Sequence, residues 1–390
     1  MKVFVKLFAF VLAVATVFAF SACDKKENTV KQYGYAYEIE EETLSDDNGD
    51  ALKDEKGNDK KALIIKGLYV GQDTQNEFDA GFGKSIELEI SDSGDFNIYN
   101  EANGDNQFDE NGNVLDPKNN LGHFENYAEI RIAADAFSGQ KILKSVKLGS
   151  KVTEIGANAF AGCSGLTTMT VPFVGTKAKA YNVNKSLASL FGTAEVTGCT
   201  STTVTYNEGN TATYYLPSGL TEVVVNYSEN TELPEYSFAG ITVLKKVTLN
   251  NVTEIGSNAF AGCTGLTTVK LDAAKLTVIG KAAFSGCTSL YNFDLASLTK
   301  LETVYQEAFS GCSKLGLGYE TITLPAATYM EKAFKDCTSL KAIDLMNVKG
   351  LGECCFYGCS SLEKVVNLND GIVNGTLVFQ GTKYQNNQDK

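Results

Sequence analysis

A hexapeptide, Ala-Phe-x-Gly-Cys-Ser/Thr, recurs along the chain and constrains its fold more than any other feature. Aligned copies read Ile155-Gly-Ala-Asn-Ala-Phe160-Ala-Gly-Cys163-Ser-Gly-Leu166, Ile255-Gly-Ser-Asn-Ala-Phe260-Ala-Gly-Cys263-Thr-Gly-Leu266 and Ile279-Gly-Lys-Ala-Ala-Phe284-Ser-Gly-Cys287-Thr-Ser-Leu290. The series continues through Phe309, Phe334 and Phe356, with looser copies at Phe137, Phe238 and Phe379. From Phe260 to Phe356 the spacings are 24, 25, 25 and 22 residues. A unit this short cannot bury its apolar face alone, so a near-fixed period of this size predicts coils stacked into a solenoid.

Each position in the repeat has a physical reason. In Leu266-Thr-Thr-Val269-Lys-Leu271 and Leu340-Lys-Ala-Ile343-Asp-Leu345, alternate residues are apolar, as a half-buried strand demands. Stacked coils would pair these strands into a parallel sheet. The Phe fills the space behind the sheet, and the Ala before it is small where backbones approach. Gly162, Gly262, Gly286, Gly311 and Gly358 precede the Cys, and Asp336 takes that place once. Asp tolerates the left-handed region better than most residues, so the slot is predicted to need a positive φ.

Six cysteines share one slot: Cys163, Cys263, Cys287, Cys312, Cys337 and Cys359. Equivalent positions on successive coils lie along a line at about 4.8 Å spacing, whereas tetrahedral coordination wraps ligands around a point. No metal site is therefore expected. Parallel side chains also do not converge as a disulfide requires, so the six are read as a ladder of buried free thiols acting as small hydrophobes. Cys355 aligns with the buried Ala slot and Cys354 with the variable position before it, which favours a structural substitution over a redox pair.

Between Phe160 and Phe238 the interval is 78 residues, about three coils, and only fragments of the pattern survive. They are Pro172-Phe-Val-Gly175, Ser189-Leu-Phe-Gly192, Thr197-Gly-Cys-Thr200 and Leu216 to Val225, the last alternating like one strand. Residues 172–235 are read as one or two expanded coils carrying a Thr- and Tyr-rich insertion, the kind of segment that projects from an array and carries binding.

The hexapeptide, the Ile-Gly before it and the Val171-Pro-Phe-Val-Gly175 expansion resemble the BspA-like, Treponema pallidum-type leucine-rich repeats of bacterial surface proteins, over about residues 127–380. The resemblance implies a leucine-rich-repeat solenoid, a β-rich right-handed superhelix with a parallel sheet on one face and short helical turns on the other. It also implies protein–protein binding, with adhesion to host or partner-cell proteins, and brings no catalytic residues and no cofactor. Candidate binding positions are the outward strand residues between apolar neighbours: Thr168, Thr170, Lys246, Thr248, Thr268, Lys270, Asn292, Asp294, Thr323, Ala342, Asp344 and Lys364.

Residues 33–126 do not match the repeat. Tyr35–Ile39, Ala62–Lys66, Ser85–Ile90 and Phe96–Tyr99 alternate like strands between Asp/Asn/Gly-rich turns, predicting a small N-terminal β-rich cap or spacer. The turn from Asp105 to Gly112 invites a calcium-loop reading, but aligning Gly112 with the loop glycine puts Gln107 at the first ligand and Lys118 at the bidentate position, so the motif fails. Residues 1–22 read as an export signal: Lys2 and Lys6, an apolar run from Leu7 to Phe20, then Ser21-Ala22-Cys23. They resemble a bacterial lipoprotein signal, which would leave Cys23 lipidated and the chain held to the outer membrane by residues 23–32; Phe20, where Leu is usual, is the departure. An ordinary signal peptide or uncleaved anchor is the alternative. Residues 381–390 are a C-terminal tail.

Composition narrows function further. The chain has no Trp and one histidine, His123, read as a loop residue, so hydrolase chemistry built on a His base has one residue to use. The net charge of −13 is uneven: residues 24–126 carry 25 acidic and 10 basic residues, while residues 127–390 carry 22 of each. Neither part has the basic face that nucleic-acid binding needs. A binding role without enzymatic activity is the leading expectation. The alternatives are an envelope spacer without a specific ligand, or glycan capture through residues 33–126.

Overall fold

The computed structural model describes residues 35–70, 86–100, 118–178, 185–206, 210–373 and 375–388. The signal segment, Cys23, the tether and the Asp105–Gly112 turn lie outside them. The chain is a leucine-rich-repeat solenoid of stacked coils, and most coils contribute to two parallel ladders rather than one.

The first ladder is the expected one. Strands Leu143–Leu148, Thr168–Val171, Glu222–Leu233, Lys246–Ile255 and Thr268–Leu271 run parallel, with Val223 opposite Met169 and Val247, and Val247 opposite Val269. The second ladder uses the residues just before Ile-Gly. It pairs Glu254 with Val278, Val278 with Thr303, Thr303 with Thr328 and Thr328 with Gly350. These strands are only two residues long, too short for a period-two pattern to show in the sequence. Glu222–Leu233 and Lys246–Ile255 are long enough to run through both ladders.

The hexapeptides form a hydrogen-bonded stack of turns between the ladders. Each Phe N–H donates to the next coil, as from Phe260 to the Ala283 carbonyl at 2.7 Å and from Phe309 to that of Ala333 at 2.8 Å. This pairing satisfies backbone groups that a buried turn would otherwise strand. Among the described residues the expected helical turns are few: 3₁₀ segments at Leu187–Leu190, Leu295–Ser297 and Asp370–Ile372, and the terminal α-helix Lys383–Gln388. Asp336 has φ 58°, matching Gly262 at 73° and Gly311 at 74° in the same slot. A second left-handed slot lies four residues earlier, at Asn158, Asn258, Ala282, Glu307, Lys332 and Cys354. Its mixed residue types hide it from the sequence.

Inside, phenylalanine rings stack coil upon coil. Phe238, Phe260, Phe284, Phe309, Phe334, Phe356 and Phe379 form a continuous column with centroids 4.9–5.7 Å apart. At the C-terminal end, Tyr384 sets its ring edge against Phe379 and its N–H donates to the Leu362 carbonyl at 2.7 Å.

The front segment joins both ladders instead of standing apart. Ile86–Ile90 pairs parallel with Leu143–Leu148, and Lys61–Val70 pairs parallel with Glu129–Ile132. Leu63, Ile65, Leu88 and Phe96 share one core with Phe137 and Phe160, so no packing boundary falls at residue 126. Tyr35–Thr43, antiparallel to Lys61–Val70, closes the second ladder. His123 is not in a loop: it ends the strand Lys118–His123, opposite Asp95, because that strand extends the front antiparallel sheet.

The interval after Phe160 holds two coil steps, the second expanded by an insertion. Buried Leu187–Leu190 and Phe191 take one turn position, and a hairpin, Cys199–Tyr206 with Asn210–Pro217, is inserted before the ladder resumes at Glu222. Residues 216–225 are therefore not one strand. Leu216 and Pro217 end the hairpin, and residues 222–233 belong to a regular coil rather than to the insertion.

Candidate binding face

On the first ladder the inward residues fill the core, so the alternate ones project in rows that run along the stack. One row is Glu87, Ser145, Thr168, Glu222, Lys246 and Thr268; the parallel row is Glu89, Lys147, Thr170, Val224, Thr248 and Lys270. The structure thus brings Thr168, Thr170, Lys246, Thr248, Thr268 and Lys270 onto one continuous face. Thr168 and Lys270 are exposed and the other four half-buried.

The remaining candidates separate from it. Asn292 joins Thr268 through a single bridge, after which the chain leaves the sheet. Asp294 is exposed but caps the 3₁₀ segment, its carboxylate accepting from the Ser297 N–H at 3.3 Å. Thr323, Asp344 and Lys364 lie on a distinct three-stranded sheet. The Asp344 carboxylate already accepts from Asn367 Nδ2 at 2.7 Å and the Met346 N–H at 3.0 Å. Ala342 is a correction: it is 6% exposed, because a lone methyl does not reach past longer ladder neighbours such as Lys364 opposite it.

Sequence reasoning missed Glu87, Glu89, Ser145, Lys147, Glu222 and Val224. Their strands lie in the unmatched front, the first loose copy or the broken interval, and only cross-strand register places them on the face. Register also explains the charge pattern: Lys147 pairs with Glu89 at 2.5 Å, and Lys246 with Glu222. Exposed pairs of this kind contribute little stability, but they leave the face nearly neutral and rich in both donors and acceptors. Glu87, Glu89, Ser145, Lys147, Thr168 and Thr170 rim a shallow depression floored by Leu88 and Val146.

The six ladder cysteines are free and buried. Each thiol donates to the Phe carbonyl of the preceding coil: Cys263 to Phe238 at 3.0 Å, Cys287 to Phe260 at 3.1 Å and Cys312 to Phe284 at 3.1 Å. The slot thus takes a small apolar side chain that is also a weak donor. Burial pushes the Cys163 and Cys359 thiols up to about 12 and raises Cys263, Cys287, Cys312 and Cys337 likewise. Cys355 is buried, whereas Cys354 and Cys199 are half-exposed. A thiol reagent applied to native residues 24–390 at pH 8 is expected to label only Cys199 and Cys354 quickly, the ladder reacting after denaturation. Rapid native labelling of Cys287 or Cys312 would contradict the burial. Among the described residues, no group of three or more His, Cys, Asp or Glu side chains is arranged to hold a metal.

The second ladder carries a destabilising contact. Glu232 stands opposite Glu254, and burial followed by that neighbouring charge raises its carboxyl above the ordinary value. A carboxyl raised on folding costs stability once ionised, and the cost vanishes below the unfolded value. Glu232→Gln is expected to raise the melting temperature at pH 7, with the gain shrinking as pH falls toward 4. A gain that persisted at pH 3 would place its origin elsewhere.

The sequence matches the BspA type leucine-rich repeat region, in 6 copies over residues 123–223, 209–328 and 315–386. No curated protein matches it significantly. Among solved structures, the chain is similar to the T. pallidum leucine-rich repeat protein at 30% identity, covering 44% of this chain and 79% of that one, with a TM-score of 0.36. A leucine-rich cell surface protein from Faecalibacterium prausnitzii is 16% identical over 86% of this chain and 95% of its own, with a TM-score of 0.28. Among the described residues, no helix is long and apolar enough to cross a membrane.

Proposed function

Because the chain belongs to the BspA-type leucine-rich repeat family, we propose that it is an exported, lipid-anchored surface protein that binds host or partner-cell proteins through its first ladder. The observation that carries this reading is the two-row face, where side chains of both charges and hydroxyls repeat at about 4.8 Å across six strands. Such a rigid, backbone-set comb presents polar groups to a protein surface with little ordering cost. Lipidation of Cys23 would hold the solenoid at the outer membrane, and the family match supports a surface setting.

The test is binding of residues 24–390 to immobilised matrix proteins and to whole partner bacteria, with Thr168→Arg/Thr268→Arg as the face variant. Wild-type binding should fall about tenfold or more in the variant while its melting temperature holds. Because surface pairs are salt-screened but here balanced, moderate salt should weaken binding only modestly. Equal binding by both proteins would move the site off the ladder. Protease shaving of intact cells should remove the chain; survival until lysis would overturn the surface assignment.

A further inference from the structure

Every open strand edge is a template for another strand, and this chain protects the outer strand of its second ladder and its last coil. The outer strand Tyr35–Thr43 carries Glu38, Glu40, Glu41 and Glu42, with Lys66 bound to Glu40 at 2.6 Å and Arg131 to Glu42 at 2.7 Å. At the other end, the terminal helix and Tyr384 close the last coil. The inserted hairpin has neither protection. Among the described residues, Cys199–Tyr206 and Asn210–Pro217 pair only with each other; they contain no charged residue, and the one proline ends the second strand.

The register shows which backbone groups stay open. The Ser218 N–H donates to the Gly198 carbonyl across the hairpin, whereas the Tyr215 N–H points away and donates to Gly192 at 2.8 Å. Bonding alternates along an antiparallel pair, so Thr213 and Thr211 also direct both N–H and C=O outward. Among the described residues, neither outward pair finds a backbone partner, and both side chains are exposed. The opposite edge is partly covered, because Gly240 lies against the Thr203 carbonyl.

We propose that the Thr211–Thr213 edge is a self-pairing site, on which the same edge of a second copy adds as an antiparallel strand. An antiparallel edge is its own complement. With the two-fold axis at Ala212, Thr211 of each copy faces Thr213 of the other, and the two outward N–H groups and two carbonyls of each copy are all matched in four hydrogen bonds. Centring the pair on Thr213 would instead require the Tyr215 N–H, which Gly192 already holds. An uncharged edge brings no like-charge repulsion, unlike the four-glutamate edge of Tyr35–Thr43. Two hairpin tips bury far less than the roughly 1,000 Å² of a lasting interface, so the dimer exchanges and forms by mass action.

Sedimentation velocity of residues 24–390 over about a hundredfold concentration range should show a reversible shift toward dimer. Ala212→Cys, at the axis in a non-hydrogen-bonded pair where Cα atoms approach about 4.5 Å, should give a disulfide-linked dimer that wild type does not. Thr213→Pro removes only an outward N–H and should weaken the dimer at least tenfold. Should that variant misfold, Thr211→Lys/Thr213→Lys sets like charges across the axis and should act equally. A monomer at every concentration with no cross-link would overturn the proposal, as would an undiminished dimer in either variant. A strict monomer that captured a synthetic peptide of sequence Asn210–Pro217 would also overturn it, in favour of strand addition by a foreign chain.

Discussion

Replacing Phe309 by alanine should cost about 3–5 kcal/mol and uncouple the two ends of the solenoid. The ring is fully buried between Phe284 at 5.1 Å and Phe334 at 5.3 Å, with the edge of Phe293 at 5.4 Å. Removing it takes away contacts on both faces, and the neighbouring rings cannot close the gap because turn-to-turn hydrogen bonds hold their backbones. In a repeat array each coil is stabilised only by its neighbours, so a cavity there weakens the coupling between the segments on either side. Urea unfolding followed by circular dichroism should lose its single transition, and hydrogen exchange should rise first in coils after residue 309. A loss under about 1 kcal/mol, with cooperativity intact, would mean the ring stack is incidental to stability.

A methyl group added at Gly265 should be nearly as damaging, costing about 1–3 kcal/mol or more. A Cβ built there falls 2.0 Å from the Thr242 carbonyl oxygen and 3.1 Å from that of Leu244, both backbone atoms of the preceding coil. Neither can move without shifting that coil. The equivalent residue one coil later is Ser289, which already carries a side chain, so Ser289→Ala should change stability by less than about 0.5 kcal/mol. Melting temperatures of the two variants give the contrast directly. Similar effects at both positions would show that coil spacing adjusts freely.

Much of the fold was legible because the repeat is written in side-chain identity. Phe at one slot, Gly or Asp at the turn and Cys at the buried position each state a local physical need. Asp336, with its φ of 58°, shows how one substitution in a glycine slot reveals that need. The second ladder was not legible. Val278–Ile279 and Thr303–Val304 are dipeptides whose strand character comes from pairing with the coils beside them, not from their own pattern. The face was half legible for the same reason. Alternation within Thr268–Leu271 tells which side chains point out. It cannot say that Glu222 lies between Thr168 and Lys246, or that Asn292 is the last residue joined to the row.

The terminal and inserted segments sharpen the distinction. Strand propensity was readable in Ser85–Ile90 and Phe96–Tyr99, yet the first joins the ladder through residues more than 50 positions away and the second joins it through the first. Side-chain identity specified the coil: its period, its aromatic column, its thiol ladder and its tight turns, all short-range requirements of packing and backbone conformation. What meets what between coils emerged with packing: the second ladder, the mixed-charge rows and the open hairpin edge. Those depend on register, and register is set by hydrogen bonds between strands that no single stretch of sequence contains.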